Sequence, residues 1–328
     1  MKRIPVCLFE DREDCSLGVR LLILSARVHE PDWMFHVFIR NFKPDDMSWL
    51  AAQPNVTLQS EKNTDQKGWN VKPSLIKHLL AELGGTVIWC DSDVILASRV
   101  SPILEPLDNS IFVATEEHCW GRTKGSHIRT SGWNMEESRR LTRTVNSCFM
   151  RIDFSHMPLL DAWLRCLSDP GYLAAQLQPW DKRPVYFIGD QDALTALLAS
   201  SEYEHIPLYL LKSGEHIAQC FEEDGYTVQD RLINSIRRRV PPLIHAQGGK
   251  PWWKGKRSLS QQLSPYSSIA LPYLKDASLD SEWVSPQDYS ANALDMITLR
   301  EPNLRGILPA FARTFQRLWR HRPRIFGF

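Results

Sequence analysis

Asp91 and Asp93 stand one residue apart in "GGTVIWCDSDVIL" (residues 84–96), where five strand-forming residues, Thr86 to Cys90, run straight into them. Side chains at i and i+2 of an extended chain point the same way, so these two carboxylates are expected to converge. Held that close they repel, and one takes up a proton unless a cation lies between them. Oxygen ligands of this kind suit a hard divalent ion, Mn²⁺ or Mg²⁺, with open positions for phosphate oxygens. The bland alternative is an acidic strand-end turn in which Asp93 caps a backbone group.

A second cluster, "LIHAQGGKPWW" (243–253), is a strand ending in His245, followed by Gly248-Gly249 and by Lys250-Pro251-Trp252. An imidazole would complete a site with two Asp and favours Mn²⁺ over Mg²⁺. Gly248 lets backbone approach a ligand closely, and Lys250 could neutralise a phosphate as a point charge. Read alone, His245 is a hydrogen-bonded core histidine. A third cluster, "GDQDAL" (189–194), opens a helix with acids, which the helix dipole favours whatever their function.

The elements around these residues alternate. Strand-like runs at Ile4–Phe9, Phe35–Ile39, Val56–Leu58, Thr86–Cys90 and Ile111–Thr115 are separated by helical patterns at Leu17–His29, from Pro44, and at Pro73–Leu83, the last stopped by Gly84-Gly85. That order predicts an α/β fold with a mostly parallel sheet flanked by helices, whose ligand site lies beyond the carboxyl ends of the strands. "FEDRE" (9–13) and "CDSD" (90–93) both fall at that end. From Glu116 to Thr144 the pattern breaks into a polar stretch that reads either as a disordered insertion or as a substrate-binding loop. Regularity returns with the strand "VNSCFMRID" (145–153), helices over Met157–Leu167 and from Asp190, and strand-like "EHIPLYLL" and "PPLIHA".

The chain has 328 residues, 43% hydrophobic and 23% charged, with net charge +1, so no global field recruits nucleic acid. Seven cysteines are scattered singly without a C-x-x-C pair, as expected of reduced thiols in a cytoplasmic protein. The opening "MKRIPVCLFEDRE" reads as a strand, not as a secretory leader, and no stretch is apolar for the ~20 residues that span a bilayer. Beyond residue 256 the composition turns to Ser, Pro and Gln, so we divide the chain into 1–256 and a C-terminal extension, 257–328. The extension closes on "LPAFARTFQRLWRHRPRIFGF", with Phe311, Phe315, Leu318 and Trp319 on one helical face and arginines around it. Such a basic amphipathic helix either docks on its own domain or makes peripheral contact with an anionic membrane at its inner face.

Together, the hydrophobic strand ending in D-S-D and the distal H-x-x-G-x-K-P-W resemble the GT-A-fold (Rossmann-like) nucleotide-sugar glycosyltransferases. The likeness is strongest to glycosyltransferase family eight, the retaining group that includes glycogenin and bacterial lipopolysaccharide galactosyl- and glucosyltransferases. It spans roughly residues 4–253, with weak stretches between motifs. It implies a UDP-sugar donor, a Mn²⁺ (or Mg²⁺) ion on Asp91, Asp93 and His245, and transfer to an acceptor hydroxyl. The acceptor would be a glycan, a lipid-linked glycan or a small molecule. By position in the motifs, Asp11 would contact uracil, and Lys72 in "NVKPSLIKHLL" would face the nucleotide-sugar. Ser92, Gly248 and Lys250 would line the donor. Asn146 in "VNSCFMRID" and Trp252 would face the acceptor, and Asp190 and Gln191 the reacting sugar. Two departures stand out: the family has one more residue between the glycine and lysine of H-x-x-G, and Cys148 stands where it has glycine. Trp120, Trp133, Trp252 and Trp253 offer rings for sugar stacking or, equally, packing anchors. Competing readings are a haloacid-dehalogenase-like Mg²⁺-dependent phosphohydrolase, which also places D-x-D after a strand, and a non-catalytic glycan-binding protein on a transferase fold.

Overall fold

The computed structural model describes residues 3–59, 66–118, 125–220, 225–253, 264–277, 302–304, 307 and 311–312. Its strands are β1 (Ile4–Glu10), β2 (Trp33–Ile39), β3 (Val56–Gln59), β4 (Thr86–Cys90), β5 (Val94–Leu96), β6 (Phe112–Glu116), β7 (Val145–Asp153), β8 (Leu208–Leu211), β9 (Ile217–Gln219) and β10 (Leu243–His245). Helices are α1 (Ser16–His29), α2 (Pro44–Ala51), α3 (Lys72–Leu83), α4 (Ser101–Leu104), α5 (His127–Gly132), α6 (Met157–Leu167), α7 (Pro170–Gln176), α8 (Asp190–Ala199), α9 (Val228–Ile236) and α10 (Pro265–Ala270).

The main sheet has seven strands in the order β3-β2-β1-β4-β7-β6-β8. It is mostly parallel, as the alternating pattern predicts: β1 pairs in parallel with β2 and β4, β2 with β3, and β6 with β8. The exception is β7, antiparallel to both β4 and β6. One face buries Cys7, Val87, Trp89 and Ile152 under Leu75, Ile76, Leu79 and Leu80 of α3 and Leu160 and Trp163 of α6. The other buries Val6, Leu8, Ile88 and Phe149 under Val19, Leu22 and Ile23 of α1. Each such side chain contributes about 1.5–3 kcal/mol relative to leaving it exposed. Helix α3 ends where expected, at Gly84, whose φ of +66° suits a residue without a Cβ.

A smaller sheet, β5-β10-β9, carries the second half of the site. The apolar residues after Asp93 form β5, which runs antiparallel to β10 in a register that sets His245 opposite Val94. Of the polar stretch after Glu116, residues 117–118 and 125–144 are described. The stretch forms α5, bridges Glu137 to Ser200, and sends the buried Arg129 to Asp192 at 2.7 Å. Residues 119–124, with Trp120, lie outside the described residues.

Part of the extension joins the same core. Tyr266 of α10 is fully buried against Trp252, Arg20 donates to the Ala277 carbonyl at 2.7 Å, and Tyr226 donates to the Asn303 side chain at 2.6 Å. Phe311 is exposed, and the rest of the basic helix expected there, from Arg313 on, lies outside the described residues. Among the described residues no helix is long and apolar enough to cross a membrane, and the cysteines form no disulfide.

Candidate active site

Beyond the carboxyl ends of β1 and β4 lies a cavity of about 380 Å³. Asp11, Lys72, Asp91, Ser92, Asp93, Asn146, Asp190, Gln191, His245, Gly248 and Lys250 all line it. Of the residues singled out in the sequence, Trp133, Cys148, Trp252 and Trp253 do not, and of these Trp252 is the one expected to face the acceptor. Its ring packs on Gly18 and Tyr266, and its indole donates to the Asp14 carbonyl at 2.8 Å. At 7% exposure it offers no face to an acceptor. Trp133 stacks into a cluster with Tyr172 and Phe187 and donates to the Tyr186 carbonyl. Cys148 is buried in β7, where its carbonyl accepts from the Asp91 N–H at 2.7 Å.

Asp91 and Asp93 converge, but not on extended backbone. Residues 92–93 form a turn closed by the Val94 N–H on the Asp91 carbonyl at 3.1 Å. The turn between β4 and β5 sets the two carboxylates on one side, and the β5–β10 pairing carries His245 to Asp93. One ligand atom from each of Asp91, Asp93 and His245 lies within 4.8 Å of the others. His245 Nε2 and Asp93 Oδ1 are 3.2 Å apart. Neighbouring ligands of an octahedral ion with bonds of about 2.1 Å sit at roughly this spacing, so the donor set fits a hard divalent cation.

The imidazole is oriented from behind. Gln219 donates its amide N–H to the Glu116 carbonyl at 3.1 Å and presents its oxygen to His245 Nδ1 at 2.6 Å. Nδ1 therefore donates to Gln219, and Nε2 is the nitrogen that faces Asp93 and would ligate a cation, an arrangement typical of metal-binding histidines. Lys250 donates to Asp93 and to the Ala246 carbonyl. Burial works against the charged form of Asp93, but the Lys250 ammonium and the His245 imidazole hold its carboxyl well below the usual range. Burial also opposes the His245 cation; the Cys148 sulfur and the Asp93 carboxylate prevail and raise it to about 10.

Lys72 is the counter-charge of the other half. Its ammonium reaches Asp91 at 3.1 Å, Asp190 at 3.5 Å and the Ser147 hydroxyl at 2.7 Å. Ser147 in turn donates to Asp190 at 2.7 Å. Burial lowers the Lys72 ammonium, yet Asp190 and Asp91 outweigh it and raise it above its ordinary value. Asp190 itself is raised by burial, with Lys72 and Ser147 opposing. Ser147 and Asn146 are here because β7 runs antiparallel to β4. With Cys90 opposite Phe149, the start of β7 extends past the end of β4 and flanks Asp91.

The three residues of D-Q-D do three jobs. Asp190 meets Lys72, Gln191 meets Glu117, and Asp192 accepts from Arg129 at 2.7 Å and caps the Gly189 N–H at 2.9 Å. Glu117, 3% exposed, collects amide donors from Asn146 (2.6 Å), Gln191 (2.8 Å) and Gln247 (3.1 Å). Sequence reading missed Glu117, Ser147 and Gln219. Glu117 sits in the irregular segment, Ser147 beside Asn146 in a strand where the resemblance points to Asn146 alone, and Gln219 in a three-residue strand. Glu10 is another. Its buried carboxylate accepts from the Arg12 guanidinium, the Asp11 and Arg12 N–H groups and the Ser92 hydroxyl, tying the loop after β1 to the D-S-D turn. Asp11 adds a second tie, accepting from the Gly68 N–H at 2.8 Å.

No protein-family profile matches the chain, and neither does any curated protein. Solved structures do. The apo structure of the bifunctional glycosyltransferase WbbM superposes with a TM-score of 0.54 at 14% identity, over 84% of this chain and 51% of that one. This chain thus spans about half the length of WbbM. The galactosyltransferase LgtC, solved with donor and acceptor sugar analogues, superposes with a TM-score of 0.53 at 12% identity, over 85% of this chain and 99% of that one. An active-site mutant of LgtC gives 0.50 at 10% identity, over 82% and 96%. At such identities the likeness is one of fold, and it agrees with the mostly parallel seven-stranded sheet flanked by helices: the chain has the GT-A glycosyltransferase fold.

Proposed function

We propose that this chain transfers a sugar from a UDP-sugar to an acceptor hydroxyl with retention of anomeric configuration. The observation that carries the reading is the convergence of Asp91, Asp93 and His245, flanked by Lys72 and Lys250, in one cavity of a GT-A fold. A divalent cation, Mn²⁺ or Mg²⁺, held by Asp91, Asp93 and His245, would supply Lewis acidity to the departing diphosphate.

The chain's own residues do the rest. Asp11 would hold the uracil end, and Gly248 and Lys250 would receive the phosphates. Ser92, locked to Glu10, would position the ribose side. As UDP departs, the sugar gains oxocarbenium character and needs electron-rich oxygens close by. Gln191 gives its N–H to Glu117, so its carbonyl oxygen is the atom left to face that charge. Asp190, fixed by Lys72 and Ser147, would hold a sugar hydroxyl, and Asn146 would line the acceptor side. Attack on the front face lets the leaving phosphate take the acceptor proton, which removes the need for a separate base.

The test is donor hydrolysis with Mn²⁺, offering UDP-glucose, UDP-galactose, their N-acetylated forms and a GDP-sugar, and assaying free nucleotide. Release from one UDP-sugar is expected, together with a rise in melting temperature on adding UDP and Mn²⁺. Silence from every donor with no thermal shift would overturn the reading. Stabilisation by Mg²⁺ with phosphate analogues instead would favour a phosphohydrolase.

A further inference from the structure

Trp69 and Trp180 are 48% and 52% exposed, and both line the cavity. Every other tryptophan among the described residues is buried or half-buried. Leaving half an indole in water forgoes stabilisation that a packed ring would supply, so two exposed rings at one polar cavity call for a ligand.

The pair is built into the frame. Trp69 follows Gly68, whose N–H is held by Asp11, and its indole nitrogen lies 4.0 Å from where a Cβ on Gly189 would sit. It therefore overhangs the residue that opens the D-Q-D helix. Trp180 sits on the segment leading into that helix. Arg183 pins this segment, donating to the Gln176 side chain at 2.6 Å and to the carbonyls of Gln176, Gln178 and Ile188. A further bond couples the two supports: Tyr172 of α7 donates to Asn70, next to Trp69, at 2.7 Å. Platforms pre-set in this way lose little freedom when a ligand arrives.

We infer that Trp69 and Trp180 form a stacking subsite for a pyranose ring of the acceptor, so that the acceptor is a glycan rather than an open-chain polyol or a lipid phosphate. The inference rests on the transferase reading. A pyranose presents C–H groups on its faces and hydroxyls around its edge. Indole faces suit the former; Asn146, which lines the same cavity, suits the latter. A polyol chain offers no flat C–H face, and a lipid phosphate would bring a second anion toward Asp190.

The experiment uses the full chain with Mn²⁺ and the UDP-sugar it hydrolyses. Transfer is measured to an array of immobilised glycans, to ribitol and to farnesyl phosphate. KM for the best array glycan and for the donor are then compared among wild type, Trp69→Ala, Trp180→Ala and the two Phe variants. Transfer to a glycan alone is expected. Acceptor KM should rise about 10-fold in each Ala variant, less in each Phe variant, with donor KM moving less than about 2-fold. Preferred transfer to ribitol or farnesyl phosphate, hydrolysis without transfer to any glycan, or an unchanged acceptor KM in both Ala variants would overturn the inference. An equal rise in donor KM would also overturn it, by assigning the rings to the nucleotide. Absence of donor hydrolysis in the wild type is a separate outcome, since it removes the transferase reading itself.

Discussion

Gln191 donates its side-chain N–H to Glu117 at 2.8 Å, on the same carboxylate oxygen that accepts from Asn146 at 2.6 Å. One buried carboxylate thus sets the direction of two amides from different elements, the start of α8 and the start of β7. A planar amide that points its nitrogen one way points its oxygen the other, so Glu117 selects the atom of Gln191 that would face the sugar in the proposed transfer.

Replacing Glu117→Gln substitutes an amide that can itself donate, and Gln191 is then free to flip. Turnover should fall roughly 10- to 100-fold, the range for losing a partner that orients a functional group, with UDP affinity changed little. Steady-state kinetics alongside UDP titration checks this. Equal losses in both would mean that Glu117 shapes the donor pocket and not Gln191.

Gln219→Leu removes the acceptor at His245 Nδ1 without touching a proposed ligand. Mn²⁺ affinity, followed by electron paramagnetic resonance, should drop roughly 10- to 100-fold. Asp93→Asn, which alters a ligand directly, should drop it further. An unchanged affinity in both variants would remove the cation from this site.

Lys72 is 5% exposed and Asp190 7%, so each depends on the other for charge balance. Lys72→Met leaves Asp190 buried and uncompensated, and should cost about 3–5 kcal/mol of stability. The double variant Lys72→Met with Asp190→Asn should recover part of that loss. Denaturant unfolding of the three variants tests it; strict additivity would mean the two groups do not interact.

Asp192 carries a pH signature. Burial raises its carboxyl from 3.8 to about 6, against the pull of Arg129. Between those values the folded chain holds a proton that the unfolded chain releases. The stability from that proton is complete below the unfolded value and is lost as pH rises through the folded one. Asp192→Asn, which cannot titrate, should therefore lose less stability than wild type between about pH 4 and about pH 6. The difference should be on the order of 3 kcal/mol across the window. Parallel pH profiles of melting temperature would show that Arg129 keeps Asp192 ionised throughout.

Local order was written along the chain. Strand-like runs of five to nine residues, such as β4 and β7, and helical spacing with a Gly84 stop announced the α/β alternation, because strand and helix periods depend only on near neighbours. Asp91, Asp93 and His245 stood out by residue type and spacing as candidate ligands, since hard-cation ligands come from a short menu, whereas Lys72 and Gln191 stood out only through the family resemblance. What the chain could not display is proximity. His245 meets Asp93 only because β5 and β10 pair antiparallel across about 150 intervening residues. Ser147 and Asn146 flank Asp91 only because β7 runs against β4. Trp252 looked like a binding residue and is a core anchor, while Trp69 and Trp180 drew no notice and stand at the cavity. Exposure of a large ring is decided by what folds over it, and that is a property of the tertiary structure.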